Sequence, residues 1–323
     1  MGQTDSHGRH ISYLRLSVTD RCNLRCTYCM PADGVRKLSH DEILSFEDQE
    51  RIATQAVGLG IEKIRITGGE PLVRRGVVGF LERLAAIPGL KEMVLTTNGM
   101  LLREMAAELR RAGVQRLNVS LDSLKPETFA KITRGGDLNK VLDGIAAAAE
   151  AGFPPPKINM VVMRGINDGE VLEFAALTLQ KPCTVRFIEY MPTTIEPDWK
   201  SLCVSGREIL EQIVGRYSLV PLEHSNTAGP ARNFKIAGAA GVIGVITPIS
   251  NAFCTSCNRI RVTASGLAKG CLFADEGVDL KPYLRCGDDK LKEVLSQIMW
   301  KKPSQHQLSN ATHAPFAMAQ IGG

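Results

Sequence analysis

Between residues 12 and 191 the chain repeats one unit six times: a short β-rich run, a loop, then an amphipathic run of helical period. The pattern predicts strands over 12–18, 63–67, 93–97, 116–121, 157–163 and 184–190. It predicts helices over 46–58, 77–86, 101–112, 138–151, 168–179 and 205–214. Ser45 with Asp48 reads as a capping box opening the first helix. Strand–helix units in series imply parallel strands joined by right-handed crossovers. A closed TIM barrel needs eight such units. The expected fold class is α/β, a curved, partial (β/α)6 TIM-type barrel with an open side. A flat doubly wound sheet would show the same periodicity.

Past residue 215 the rhythm changes. Short strands are expected over 243–246 and 259–263, a helix over 289–300, and a polar, irregular tail over 301–323. We therefore divide the chain into a partial barrel, 1–215, and a C-terminal extension, 216–323. Hydrophobic residues at 44% and charged residues at 23% suit a soluble globular protein. No apolar run is long enough to span a bilayer, and Met1 to His10 lacks the apolar core of a signal peptide. The expectation is a cytoplasmic protein, or one of an organelle matrix, with no membrane partner. Met1 to Ser6 fits the N-myristoylation pattern at Gly2, but the segment reads as a disordered start. A net charge of +5 is too mild to imply nucleic acid, and fits a small polyanionic substrate if positive charges converge in a cavity.

Of nine cysteines, six fall in two tight groups: Cys22, Cys26, Cys29, and Cys254, Cys257, Cys271. Cys183, Cys203 and Cys286 are scattered. Without an export signal, such grouping points to metal rather than to disulfides. The first group follows the first strand, in the loop that forms the active-site mouth of a barrel. Three thiolates hold three irons of a cubane cluster and leave the fourth iron open to a small molecule, whereas a four-iron cluster normally takes four cysteines. Zinc and a ferredoxin remain as alternatives, although zinc wants a nearby fourth ligand and the ferredoxin run is spaced differently.

The pattern Cys-x3-Cys-x-Tyr-Cys after a first strand resembles that of the radical S-adenosylmethionine superfamily. The resemblance implies a [4Fe-4S] cluster on Cys22, Cys26 and Cys29, whose open iron binds S-adenosylmethionine. One electron then yields methionine and a 5′-deoxyadenosyl radical. Gly68-Gly69-Glu70-Pro71, Thr96-Thr97-Asn98-Gly99 and Ser120-Leu121-Asp122 close the second, third and fourth strands, in the superfamily's order. On this likeness Tyr28, Gly69, Ser120 and Met191 form the cofactor pocket, Gly69 letting the backbone approach the methionine amino group.

Cys254-x2-Cys257-x13-Cys271 supplies three more thiolates. A zinc site completed by Cys286 or a histidine is the alternative. With Asn258-Arg259-Ile260-Arg261, Gly270-Cys271-Leu272-Phe273 and the terminal Gly322-Gly323, the segment resembles the GTP 3′,8-cyclase family of molybdenum cofactor synthesis. The likeness runs from Arg15 to Gly323. It implies a second [4Fe-4S] cluster facing the first, and attack of a ribose 3′ radical on guanine C8. Cys22, Cys26, Cys29, Arg259 and Arg261 would carry the catalysis. The Gly-Gly tail would fold back into the barrel.

Strand alternation leads to a compatible site. If Leu14, Leu16, Ile64, Ile66, Ile158 and Met160 pack on the helices, Arg15, Arg65 and Lys157 point inward together. Buried cations need an anionic partner, and arginine forks suit phosphate. The family resemblance matches Arg15, Arg65, Thr96, Lys157, Arg259 and Arg261 to the GTP site. No Walker-type Gly-x4-Gly-Lys-Ser/Thr motif is present. The implied partners are GTP, a low-potential electron donor, the next pathway enzyme (cyclic pyranopterin monophosphate synthase) and a second copy of the chain. The rival readings are another radical enzyme with an auxiliary cluster, or a non-catalytic iron–sulfur or zinc protein.

Overall fold

The computed structural model describes residues 3–191, 199–223, 229–274, 276–306 and 318–321. In chain order the strands are β1 (Tyr13–Ser17), β2 (Lys63–Thr67), β3 (Glu92–Thr97), β4 (Arg116–Ser120), β5 (Lys157–Val162), β6 (Thr184–Glu189), β7 (Leu219–Pro221), β8 (Arg232–Ile236), β9 (Val242–Ile246), β10 (Arg259–Val262), β11 (Leu267–Lys269) and β12 (Val278–Asp279). The helices are α1 (Phe46–Gly58), α2 (Val77–Ala85), α3 (Leu102–Arg111), α4 (Pro126–Thr133), α5 (Leu138–Glu150), α6 (Val171–Gln180), α7 (Trp199–Leu202), α8 (Gly206–Val214), α9 (Lys281–Arg285), α10 (Asp288–Trp300) and α11 (Met318–Ile321). Among the described residues, no helix is long and apolar enough to cross a membrane.

All strands join one sheet, in the order β12-β11-β10-β1-β2-β3-β4-β5-β6-β9-β8-β7. The six foreseen strands pair in parallel and in sequence. The C-terminal segment then adds a parallel strand at each edge, β10 beside β1 and β9 beside β6. Beyond these, β11 and β8 are antiparallel. The sheet curls without closing. Residues of β10, of the central strand β5 and of β9 line a single cavity, yet β9 bonds to β8 and β10 to β11. The fold is α/β, a partial barrel.

Alternation along the strands decides what lies inside and outside. Leu14, Leu16, Ile64, Ile66, Leu95, Leu117, Val119, Met160 and Val162 are buried on the outer face, with Ile52, Phe80, Leu84, Leu102 and Leu109 of the helices in the same cluster. Each such side chain contributes about 1.5–3 kcal/mol when taken fully from water. This layer leaves the inner positions free to be polar.

Local chemistry sets the helix starts. Ser45 Oγ accepts from Asp48 N at 3.0 Å and donates to the Asp48 carboxylate at 2.9 Å. A full reciprocal box caps α8, between Ser205 and Glu208. Helix α4 was not foreseen: it is short, and its start is marked by Pro126 at its first turn, a position that suits proline.

The junction of β6 and β9 is tight. A Cβ on Gly241 would lie 2.3 Å from the Cys183 carbonyl oxygen and 2.6 Å from that of Lys181. Gly79, inside α2, has nothing within 4 Å of its would-be Cβ. We expect Gly241→Ala to destabilise the protein by about 1–3 kcal/mol through overpacking. Gly79→Ala should stabilise it by about 0.5–1 kcal/mol through helix propensity. Chemical denaturation of the two variants checks both signs.

Candidate active site

A cavity of about 280 Å³ occupies the concave face of the sheet. Its lining includes the cysteines of both groups together with Tyr28, Gly69, Ser120 and Met191. Arg15, Arg65, Thr96, Arg259 and Arg261 line it as well. Residues far apart in the chain thus meet at one place, because the strands that carry them lie side by side.

The first cysteine group sits in the loop after β1, held from several sides. Arg25 N and Thr27 N donate to the carbonyls of Thr133 and Ile132, at 3.1 and 2.9 Å, so the end of α4 receives the loop. Arg134, in the left-handed region at φ 53°, turns back to donate to the carbonyls of Arg25 and Met30. Tyr28 Oη donates to Asp122 Oδ2 at 2.8 Å, and Asp122 Oδ1 accepts from Val161 N at 2.9 Å. Burial pushes the Asp122 carboxyl up to about 6. Glu70, pushed up to about 7 by burial, accepts from Leu72 N, Thr97 Oγ1 and Asn98 N, tying the ends of β2 and β3 together.

Gly69 has a role that the sequence did not reveal. A Cβ there would lie 2.4 Å from the Arg21 carbonyl oxygen and 3.0 Å from that of Asp20. Gly69 N donates to Thr19 O at 2.8 Å, and Glu70 N to Arg21 O at 2.8 Å. The close approach is made by the backbone of the cysteine loop itself, and the glycine makes that packing possible.

Burial drives the Cys22 thiol up to about 11 and that of Cys29 to about 12, and also raises Cys26. These half-buried thiols favour the neutral form unless a strong cation lies beside them. The second group differs. Burial also opposes ionisation of Cys257, but Arg259 and Lys302 outweigh it and bring the thiol down to about 6. Arg259 Nη2 lies 3.5 Å from Cys257 Sγ. No three His, Cys, Asp or Glu among the described residues converge tightly enough to hold a single metal ion. A cubane needs no such convergence, since each thiolate binds a different iron. Cys286 is exposed beyond α9 and does not line the cavity, while Cys183 lies in the hydrophobic core.

The strands that lead into these loops carry a cationic row across the cavity lining. Arg15 stands opposite Arg65 on one neighbouring strand and Arg261 on the other. Burial, Arg261 and Arg65 all depress Arg15. Burial and Arg259 bring Arg261 down to about 10. Among the described residues, none of Arg15, Arg65, Arg186, Arg259 or Arg261 has a carboxylate within 4.0 Å. Tyr13 Oη, Arg15 Nε, Arg65 Nε, Thr96 Oγ1, Arg186 Nε and Arg261 Nη1 are buried without a hydrogen-bond partner. Such a set of orphaned polar groups awaits an anionic, hydrogen-bonding ligand.

Arg186 is a lining residue that the sequence reading missed, although the alternation Val185, Phe187 against Thr184, Arg186 carries the same signal as in β1. Burial and Arg65 bring it down to about 10. Lys157 departs from expectation in the other direction, since it does not line the cavity. It opens β5, beneath the lining layer, and burial with Arg186, Lys63, Arg116 and Arg65 pushes it down to about 7. Glu92 neutralises part of this base through ion pairs with Lys63 and Arg116.

Met318 N donates to Cys29 O at 3.1 Å, and Met318 and Ala319 line the cavity, so α11 closes over the first cysteine group. Gly322 and Gly323 lie outside the described residues, as do Met1 and Gly2.

Comparison with known proteins agrees with these features. Residues 16–178 match the Radical SAM superfamily, and residues 183–308 match Molybdenum Cofactor Synthesis C. The chain is 65% identical over 322 residues to the GTP 3′,8-cyclase of Geobacter sulfurreducens, covering 99% of each chain. It is 46% identical over 321 residues to that of Moorella thermoacetica, again covering 99% of each. Among solved structures it is similar in fold to Streptococcus suis SuiB bound to the precursor peptide SuiA. There the TM-score is 0.61 at 14% identity, covering 98% of this chain and 71% of that one.

The packing at Gly69 leads to a test. In Gly69→Ala the new methyl displaces the loop that carries Cys22, Cys26 and Cys29, at a cost of about 1–3 kcal/mol. Iron bound at this loop after anaerobic reconstitution should fall while far-UV circular dichroism stays that of the parent. Full iron content in the variant would show that the loop tolerates the shift.

Proposed function

The chain belongs to the GTP 3′,8-cyclase family of the radical S-adenosylmethionine superfamily, and on that basis we infer how its residues perform the reaction. It cyclises GTP to 3′,8-cyclo-7,8-dihydroguanosine 5′-triphosphate, the first step of molybdenum cofactor biosynthesis. It carries a [4Fe-4S] cluster and uses S-adenosylmethionine. The observation that carries the assignment of roles is the single cavity bounded by two thiol groups and a wall of uncompensated arginines.

Cys22, Cys26 and Cys29 would hold the cluster that binds S-adenosylmethionine. That pair would supply the 5′-deoxyadenosyl radical chemistry by which a ribose carbon is activated to bond to guanine C8. Tyr28, Gly69, Ser120 and Met191 flank the cofactor, with Tyr28 fixed by Asp122. Cys254, Cys257 and Cys271 would hold a second [4Fe-4S] cluster, and Arg259, 3.5 Å from Cys257 Sγ, would compensate that thiolate. Arg15, Arg65, Arg186 and Arg261 take the triphosphate through their forks, Thr96 adds a hydroxyl, and Lys157 contributes charge from beneath. Arg259 and Arg261 also steady the nucleotide for ring closure.

In this reading residues 1–215 carry the radical-generating half and residues 216–323 the second cluster and substrate half. Cleavage of S-adenosylmethionine consumes one electron, which a low-potential donor provides. The product passes to cyclic pyranopterin monophosphate synthase. We place the reaction in the cytoplasm, in a homodimer.

The decisive experiment is anaerobic turnover of the reconstituted chain with GTP, S-adenosylmethionine and dithionite, with mass analysis of 5′-deoxyadenosine and cyclised nucleotide. Cys22→Ala should abolish both products. Cys254→Ala should abolish cyclisation yet leave some 5′-deoxyadenosine. Full cyclisation by Cys254→Ala would refute the division of roles.

Proton linkage tests the triphosphate assignment separately. Burial, together with Arg186, Lys63, Arg116 and Arg65, brings Lys157 down to about 7. A bound triphosphate would reverse the local field and push it back up. Binding of GTP at pH 8 should therefore take up about one proton, shrinking toward zero below about pH 6, where Lys157 is already charged. Calorimetry in two buffers of different ionisation enthalpy reads the uptake, and Lys157→Met should remove it. Uptake unchanged in that variant would assign the proton elsewhere.

A further inference from the structure

The region behind the second cysteine group holds two buried cations that do not line the cavity, Arg9 and Lys302. Arg9 is 7% exposed and lies in a hook closed by the bridge between Thr4 and His10. Asp5, 2% exposed, accepts from the backbone of His7 and Arg9 with one oxygen, at 2.9 Å each. Its other oxygen takes Arg9 Nε at 2.6 Å. The guanidinium is thereby aimed. Its Nη1 donates to Cys254 O at 2.8 Å and to Ser304 O at 3.4 Å. Its Nη2 donates to Lys302 O at 3.1 Å and Pro303 O at 2.8 Å. One fork thus joins the first cysteine of the second group to the segment that follows α10.

The same segment reaches the last cysteine of the group. Lys302, 3% exposed, donates through Nζ to the carbonyl of Gly270, the residue before Cys271. Gly270 packs directly on it, for a Cβ there would lie 3.3 Å from Lys302 Cα and 3.4 Å from Pro303 Cδ. Cys254 and Cys271 lie in loops at the open end of the β10–β11 hairpin, whose pairing joins Arg261 with Lys269 and Val262 with Ala268 but does not reach the two cysteines themselves. The 302–304 segment spans the two.

We propose that Arg9 and Lys302 are positioning residues for the second cluster: the N-terminal hook and the 302–304 segment form a brace that fixes the separation of Cys254 and Cys271. The proposal rests on the reading that Cys254, Cys257 and Cys271 hold a cluster. Backbone carbonyls drawn toward a cation on the far side of a loop orient its cysteine for the metal, as outer-shell partners orient first-shell ligands elsewhere. Lysine at position 9 keeps the charge but cannot replace the fork.

The test uses the Cys22→Ala/Cys26→Ala/Cys29→Ala chain, in which only the second group holds iron, about four per chain after anaerobic reconstitution. Adding Arg9→Lys, or separately Lys302→Met, should speed loss of that iron to a ferrous chelator about 10–100-fold. Either change should also alter the electron paramagnetic resonance signal of the reduced cluster. In the otherwise intact chain, the same changes should leave first-group iron and uncoupled 5′-deoxyadenosine formation at parental levels. Iron loss at the parental rate in both variants overturns the brace, as does equal loss from both groups, which would mark a general folding defect. Should one variant fail to fold, the other decides. A triple-cysteine parent that binds no iron would instead bring down the second-cluster reading itself.

Discussion

Arg261, Arg15 and Arg65 stand opposite one another on three adjacent strands, and the rest of the architecture accommodates their mutual repulsion. At a strand spacing of about 4.8 Å and an effective dielectric constant near 20, a pair of unit charges repels by up to about 3 kcal/mol. Arg186 and Lys157 add to the same field. The apolar outer layer keeps these strands in register despite it. A polyanion entering there would relieve this repulsion, so in the proposed reading the substrate site is preorganised rather than assembled on contact.

The two ends of the cavity use opposite electrostatics. Around Cys22, Cys26 and Cys29, burial first and then the carboxylates Glu70 and Asp122 favour the neutral thiol. Around Cys257 the neighbours are Arg259 and Lys302, which favour the thiolate beforehand. In the proposed reading the first end suits a ligand that brings its own positive charge, and the second shares its cations between thiolate and phosphate.

Much of this was legible in the sequence, because it depends on local periodicity. The alternation in Tyr13–Ser17 and Lys63–Thr67 placed Arg15 and Arg65 on the inner face, and the same rule extended to Thr184–Glu189 would have found Arg186. Other features were not legible because they arise from pairings distant in sequence. That β9 and β10 extend both edges of the sheet depends on where the chain returns. Lys157 shares the inward direction of Asn159 but sits a layer lower, a matter of sheet stagger that no single strand records. The reason for Gly69 lies in the backbone of Asp20 and Arg21, and helix α4, which receives the cysteine loop, was too short to register as a periodic run.

The pairing of β1 with β10 has a consequence in time. During synthesis β1 emerges early and finds β2 soon afterwards, but its other edge waits until nearly the whole chain has left the ribosome. Until then the growing protein presents an open parallel edge, a template for unwanted strand addition. Closing so large a loop is slow, since the entropy is spent before the contacts reward it. The nascent chain is therefore most vulnerable to aggregation just before its last quarter arrives.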